Sequence, residues 1–132
     1  MKIKEIIGYL SYDKSFGILT RQALELKLKK IKRFNSCLID FNNLKKLNQL
    51  LGYNKVNNII FNIFDEFKSK TTICGRWFSG DEILIVDKNI KEAIIVLKEI
   101  SHKKGMTFKE HYFMNKGLKY IEKEIGKIKD EI

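Results

Sequence analysis

Three acidic side chains stand where they could hold a metal ion. Asp40 ends the apolar run Leu38-Ile39, and Asp81 with Glu82 leads into the run Ile83-Leu84-Ile85-Val86. If these runs are neighbouring strands, the carboxylates meet at one end of a sheet. Carboxylate oxygens, assisted by a backbone carbonyl, are the ligands magnesium takes. A pair of such ions activates an attacking hydroxyl and stabilises a leaving pyrophosphate. An acidic Ser79-Gly80-Asp81 stretch between strands is also the ordinary form of a solvated turn, and spacing alone leaves both readings open.

The elements that would position these acids follow from periodicity. An amphipathic helix is expected from Thr20 to Phe34, where Leu24, Leu26, Leu28 and Ile31 alternate with Lys and Glu. Ser36 to Phe41 reads as a buried strand with Asp40 near its end. Helical pattern returns from Asn42 to Phe67, broken at Leu51-Gly52-Tyr53-Asn54, so two successive helices are expected. Thr71 to Phe78 and Glu82 to Val86 form a hairpin around Ser79-Gly80-Asp81. Asn89 to His102 reads as a helix, Met106 to Phe113 as an edge strand and Asn115 to Ile132 as a closing helix. The expected fold is α+β and ferredoxin-like, a mainly antiparallel sheet with helices packed on one face.

Composition narrows the classes. The 132 residues fit one domain, 1–132, with no room for a separate sensor. Apolar residues make up 44% and proline is absent, which excludes disordered and collagen-like chains. No apolar run approaches the roughly 18 residues that span a bilayer, and Met1 to Leu10 lacks signal-peptide features, so a cytoplasmic location without a membrane partner is expected. Cys37 and Cys74 lie in apolar stretches without a second metal-spaced ligand and read as small buried hydrophobes. The formal charge of +10 comes from lysines scattered along the chain rather than an arginine stripe. A positive field attracts any polyanion, triphosphates included, and nucleic acid is not the expected partner.

Several segments, in order, resemble the GGDEF family of nucleotidyl cyclases. Asp13-Lys14-Ser15-Phe16-Gly17-Ile18-Leu19-Thr20-Arg21 is similar to the signature D-x-L-T-G-L-x-N-R, and Asp40-Phe41-Asn42-Asn43-Leu44-Lys45-Lys46-Leu47-Asn48 to D-x-D-x-F-K-x-x-N. Gly52 matches the glycine of the following G-H turn, and Ser79-Gly80-Asp81-Glu82-Ile83 resembles the GGDEF hairpin. The resemblance implies a polymerase-like palm carrying a pair of Mg2+ or Mn2+ ions. It implies Asp40 and Asp81 as metal ligands with the Phe41 carbonyl, Glu82 near the attacking 3′-hydroxyl, and Asn48 against the base. Leu44, Asn57 and Gly80 complete the implied nucleotide contacts. Leu118-Lys119-Tyr120 with Lys123, Gly126 and Lys127 resembles A-L-Y-x-A-K-x-x-G-R, which implies Lys123 and Lys127 on triphosphate oxygens; as lysines on a closing helix they equally read as a solvated face.

Departures from the family are informative. Asn42 replaces the second acid of D-x-D, Ser79 the first hairpin glycine, and no R-x-x-D inhibitory site occurs around Lys70 to Ile73, so product inhibition of that kind is not expected. Arg76 stands one residue too far from the hairpin, either through displacement or through a strand bulge. Asn57 falls where the family places a guanine-binding Asp. An amide offers an acceptor and donors, a pattern that pairs with the adenine edge. The implied activity joins two triphosphates, ATP or GTP, in a homodimer that can be transient, with an adenine-containing product or cyclic di-GMP. A chain of this size also resembles the stand-alone minimal CRISPR polymerases. Two other readings remain: a nucleotide-binding sensor without turnover, and a basic nucleic-acid module using Trp77, Phe78 and Tyr112 for stacking.

Overall fold

The computed structural model describes residues 12–68, 72–77 and 81–130, with the side chains of residues 129 and 130 excepted. A small hairpin, β1 (Tyr12–Asp13) and β2 (Ile18–Leu19), precedes α1 (Arg21–Leu28). Strand β3 (Phe34–Phe41) leads into α2 (Leu44–Leu51) and α3 (Tyr53–Phe67), followed by β4 (Ile73–Arg76), β5 (Glu82–Val86), α4 (Ile90–Lys103), β6 (Phe108–Lys116) and α5 (Leu118–Asp130). The strands form one sheet in the order β1-β2-β4-β5-β3-β6, antiparallel at every junction except the parallel β2–β4 pair. This is the α+β, mainly antiparallel palm expected from the sequence, with β6 as an edge strand.

Helices cover both faces of the sheet, which corrects the one-face arrangement. Cys37, Ile39, Phe41, Ile83 and Ile85 pack against Val56, Ile60, Ile63 and Phe64 of α3 and Ile90, Ile94 and Leu97 of α4. Phe34, Leu38, Leu84 and Val86 pack against Leu24 and Leu28 of α1 and Leu118, Ile121 and Ile125 of α5. Successive strand residues point to opposite faces, so unbroken apolar runs such as Ile83 to Val86 require cover on both sides.

The first helix also ends earlier than its pattern. Thr20 caps its start, the Oγ accepting from the Ala23 N–H at 3.3 Å, but helix stops at Leu28 and Phe34 already belongs to β3. Between them lie Lys29, Lys30, Lys32 and Arg33, all exposed, and Ile31 is too exposed to reward another buried turn. The break at Gly52 is as expected: its φ of 85° separates α2 from α3 in a conformation that glycine adopts without strain. The segment that resembles the D-x-L-T-G-L-x-N-R signature forms the β1–β2 hairpin and the start of α1. Its organiser is Asp13, whose Oδ1 accepts from the Phe16 N–H at 3.0 Å and whose carbonyl accepts from the Gly17 N–H at 2.8 Å.

Candidate active site at the β3–β5 end

Strand β3 carries Asp40 to the end of the sheet. Phe41 turns to the α3 face, where it meets Phe64 and Phe108 edge-on with centroids at 6.5 and 5.9 Å. Alternation therefore sends the exposed Asp40 to the opposite face, the one covered by α1 and α5. There the antiparallel register sets Asp40 directly across from Glu82 of β5, and Asp81 is the residue before it. The two carboxylate positions thus meet at one strand end, as their places beside apolar runs imply. Glu82 is half-buried, with Oε2 shielded from solvent, and Asp81 is exposed in the turn. Gly80 lies outside the described residues, as do Phe78 and Ser79.

The same register places Lys109 of β6 opposite Asp40 on its other side. Sequence reasoning missed this cation, since only the strand pairing relates it to Asp40. The neighbouring Glu82 carbonyl accepts from the Trp77 N–H at 2.8 Å, and the Arg21 guanidinium stacks 3.5 Å over the Trp77 ring while reaching Glu122 of α5 at 3.6 Å. Trp77 is 2% exposed and so belongs to the core rather than to a stacking surface.

The β4–β5 register runs without a shift from Ile73 opposite Val86 to Arg76 opposite Ile83. No bulge falls within Ile73–Arg76, and the hairpin end at residues 78–80, where a displaced Arg76 and a bulge would differ, lies outside the described residues. Arg76 binds Asp13 at 2.9 Å and lies 4.0 Å over Phe16, tying the hairpin strand to the β1–β2 turn. Asn42 anchors the turn leaving β3: its backbone N–H donates to the Thr107 carbonyl at 2.9 Å and its Nδ2 to Thr107 Oγ1 at 3.0 Å.

The nucleotide-contact candidates are spread over three helices. Asn57 lines an open cleft of about 540 Å3 with Lys14, Ser15, Asn54, Asn58 and Phe61. Asn48 on α2 is not part of that lining, but its buried Oδ1 has no hydrogen-bond partner among the described residues. Leu44 is a core side chain. Lys123 is exposed on α5, and Lys127 pairs with Glu124 at 3.3 Å on the same surface. Burial pushes the Cys37 thiol up to about 12, so it stays protonated and packs as a hydrophobe.

No protein-family model matches the sequence, and no curated protein matches it. Solved structures do. The coiled coil and GGDEF domain of DgcB from Caulobacter crescentus, in complex with c-di-GMP, superposes with a TM-score of 0.65 at 12% identity, over 83% of this chain and 72% of that one. A microbial GGDEF domain studied with bis-(3,5)-cyclic di-GMP gives 0.64 at 18% identity, over 81% and 78%. A diguanylate cyclase/phosphodiesterase from Caldicellulosiruptor saccharolyticus gives 0.59 at 18%, over 84% and 77%. No described helix is long and apolar enough to cross a membrane. The architecture of this chain is therefore that of a GGDEF-type palm domain.

Proposed function

We propose that the chain is a metal-dependent nucleotidyl cyclase that joins two nucleoside triphosphates into a cyclic dinucleotide and releases pyrophosphate. The observation that carries this reading is the register setting Asp40 across from Glu82, next to Asp81, on an architecture shared with GGDEF domains that bind c-di-GMP.

The donor set fits the metal such chemistry uses. Among the described residues no three His, Cys, Asp or Glu side chains gather into a closed cage. Magnesium commonly binds through one or two carboxylates and completes its shell with water and substrate phosphates, so an open pair suits an ion arriving with the triphosphate. Asp40 and Asp81 would hold Mg2+ or Mn2+ with the Phe41 carbonyl. Bound there, the ions supply Lewis-acid stabilisation of the phosphoryl oxygens. Glu82 serves the attacking 3′-hydroxyl, and a half-buried carboxylate beside it can accept its proton. Asn48, whose Oδ1 is buried without a hydrogen-bond partner among the described residues, would turn its amide outward to meet the base. Asn57 faces the adenine edge from its cleft, with its Nδ2 donating to N1 and its Oδ1 accepting from N6. Lys123 carries triphosphate charge. Lys127 joins it on releasing Glu124. Ring closure takes two loaded copies, each supplying the hydroxyl that attacks the other's α-phosphate.

The test is incubation with each nucleoside triphosphate, singly and in pairs, with Mg2+ or Mn2+, and mass spectrometry of the products. A cyclic dinucleotide is expected from the natural chain and from neither Asp40→Ala nor Asp81→Ala. Both side chains are exposed, so the variants should keep their stability within about 0.5 kcal/mol. Undiminished product from either variant refutes the metal assignment. Triphosphate binding without product under either metal favours a sensor.

A further inference from the structure

Cations that look scattered in the sequence converge at the end of the sheet remote from Asp40. From Leu26 to Ile39 the chain contains Lys27, Lys29, Lys30, Lys32 and Arg33 and no acid. Folding brings three more lysines to this run. Phe34, next to Arg33, pairs with Lys116 across the β3–β6 ladder. The Lys32 carbonyl comes so close to Gly117 that a Cβ there would stand 2.8 Å from it, which brings Lys119 of the following helix turn to the same end. Asn35 holds Lys88 by donating from Nδ2 to its carbonyl at 3.2 Å, and accepts from the Asn115 N–H at 2.8 Å.

Lys30, Lys32, Arg33, Lys88, Lys116 and Lys119 are all exposed. None of them forms an ion pair among the described residues, whereas Lys68, Lys98, Lys104 and Lys127 elsewhere each find an acid. The nearby acid, Asp87, is occupied by the Thr72 hydroxyl and the Asn89 N–H. Leaving like charges together without counter-charge costs stability, and a bound polyanion would relieve that repulsion. The cations border a cleft of about 290 Å3 whose polar lining is Arg33, Asn35, Lys88, Asn115 and the already bonded Asp87, and the Lys116 ammonium sits 4.6 Å over the half-exposed Tyr120 ring.

We propose that this basic pole binds the phosphate backbone of single-stranded nucleic acid, with Tyr120 as a stacking surface. Clustered cations with an exposed aromatic ring among them suit a single strand with bases free to stack. A bilayer would call for a flatter face with apolar anchors. Phe34 and Asp40 are six strand residues apart, roughly 20 Å, so the surface is separate from the acidic site and the inference stands without the cyclase reading.

The experiment is fluorescence anisotropy of a labelled oligo-uridine 20-mer titrated with the full chain across a salt series. Two variants are compared with it: Lys32→Glu/Arg33→Glu/Lys116→Glu at the pole, and Lys46→Glu/Lys91→Glu/Lys103→Glu elsewhere, which makes the same change in net charge. The pole variant should lose at least about tenfold in affinity, and its log-log salt slope should fall by about 2, at roughly 0.7 per phosphate contact. The control should lose less than about threefold. Equal losses in both variants, or no oligonucleotide binding by the natural chain in low salt, overturn the proposal. Binding to phosphatidylserine vesicles in place of the oligonucleotide overturns it too. If the triple pole variant does not fold, Lys30→Gln/Lys119→Gln is compared with Lys46→Gln/Lys91→Gln, which makes the same smaller change in net charge, and the pole pair should again lose more affinity than the control pair.

Discussion

At the scale of single residues, chemistry and architecture are divided between neighbours in the chain. Asp40 faces the candidate site while Phe41 locks the strand into the aromatic core, and Asn42 ties down the exit with two donors to Thr107. In the cyclase reading, Asn57→Asp removes the donor that pairs with adenine N1 and leaves acceptors that suit guanine. With ATP and GTP in competition, the Asn57→Asp product should shift toward guanine by at least about tenfold, because a mismatched edge leaves buried polar groups unpaired. An unchanged product ratio by mass spectrometry would remove Asn57 from base selection.

Among the elements, β4 depends most tightly on its neighbour. A Cβ at Gly75 would stand 2.8 Å from the Cβ of Leu24 and 2.9 Å from both of its δ carbons. The Leu24 Cβ is fixed to the α1 backbone, so the helix itself would have to move away from the sheet. Gly75→Ala should therefore cost about 1–3 kcal/mol by urea denaturation, against the small gain that alanine usually brings over glycine. A neutral or stabilising result would mean that α1 is free to shift. That freedom would also loosen Arg21, which begins α1 and stacks on Trp77 beside the Glu82 carbonyl. On the other side of β4, the Arg76–Asp13 bridge holds the hairpin strand to the β1–β2 turn.

For the whole molecule, the sheet is a septum between two apolar layers. Ile63 is fully buried on the α3–α4 side and Ile121 on the α1–α5 side. Ile63→Val and Ile121→Val should each cost about 0.5–1.5 kcal/mol. In the double variant the costs should add within about 0.5 kcal/mol, since the residues share no contacts. A urea-denaturation cycle with a larger coupling would show that packing on one face is transmitted through the strands to the other. The two-layer cover also bears on function, because it holds both strands that present Asp40 and Glu82.

Much of this protein could be read from the order of its residues. Local physics governs whether a segment alternates as a helix or strand and where glycine breaks it, so β3, α2, α3, β5, α4, β6 and α5 lie close to their expected positions. The acids were legible for the same reason, each lying at the boundary of an apolar run. Tertiary structure decided whatever depends on distant partners: cover on both faces, the early end of α1, and the pairing of β4 with β5. It also decided which charges meet. Lys109 stands opposite Asp40, and Lys88 and Lys116 come to the same end as Lys32 and Arg33, only through strand pairing and the bonds of Asn35. Periodicity reports which face a side chain takes, but register decides what stands opposite it.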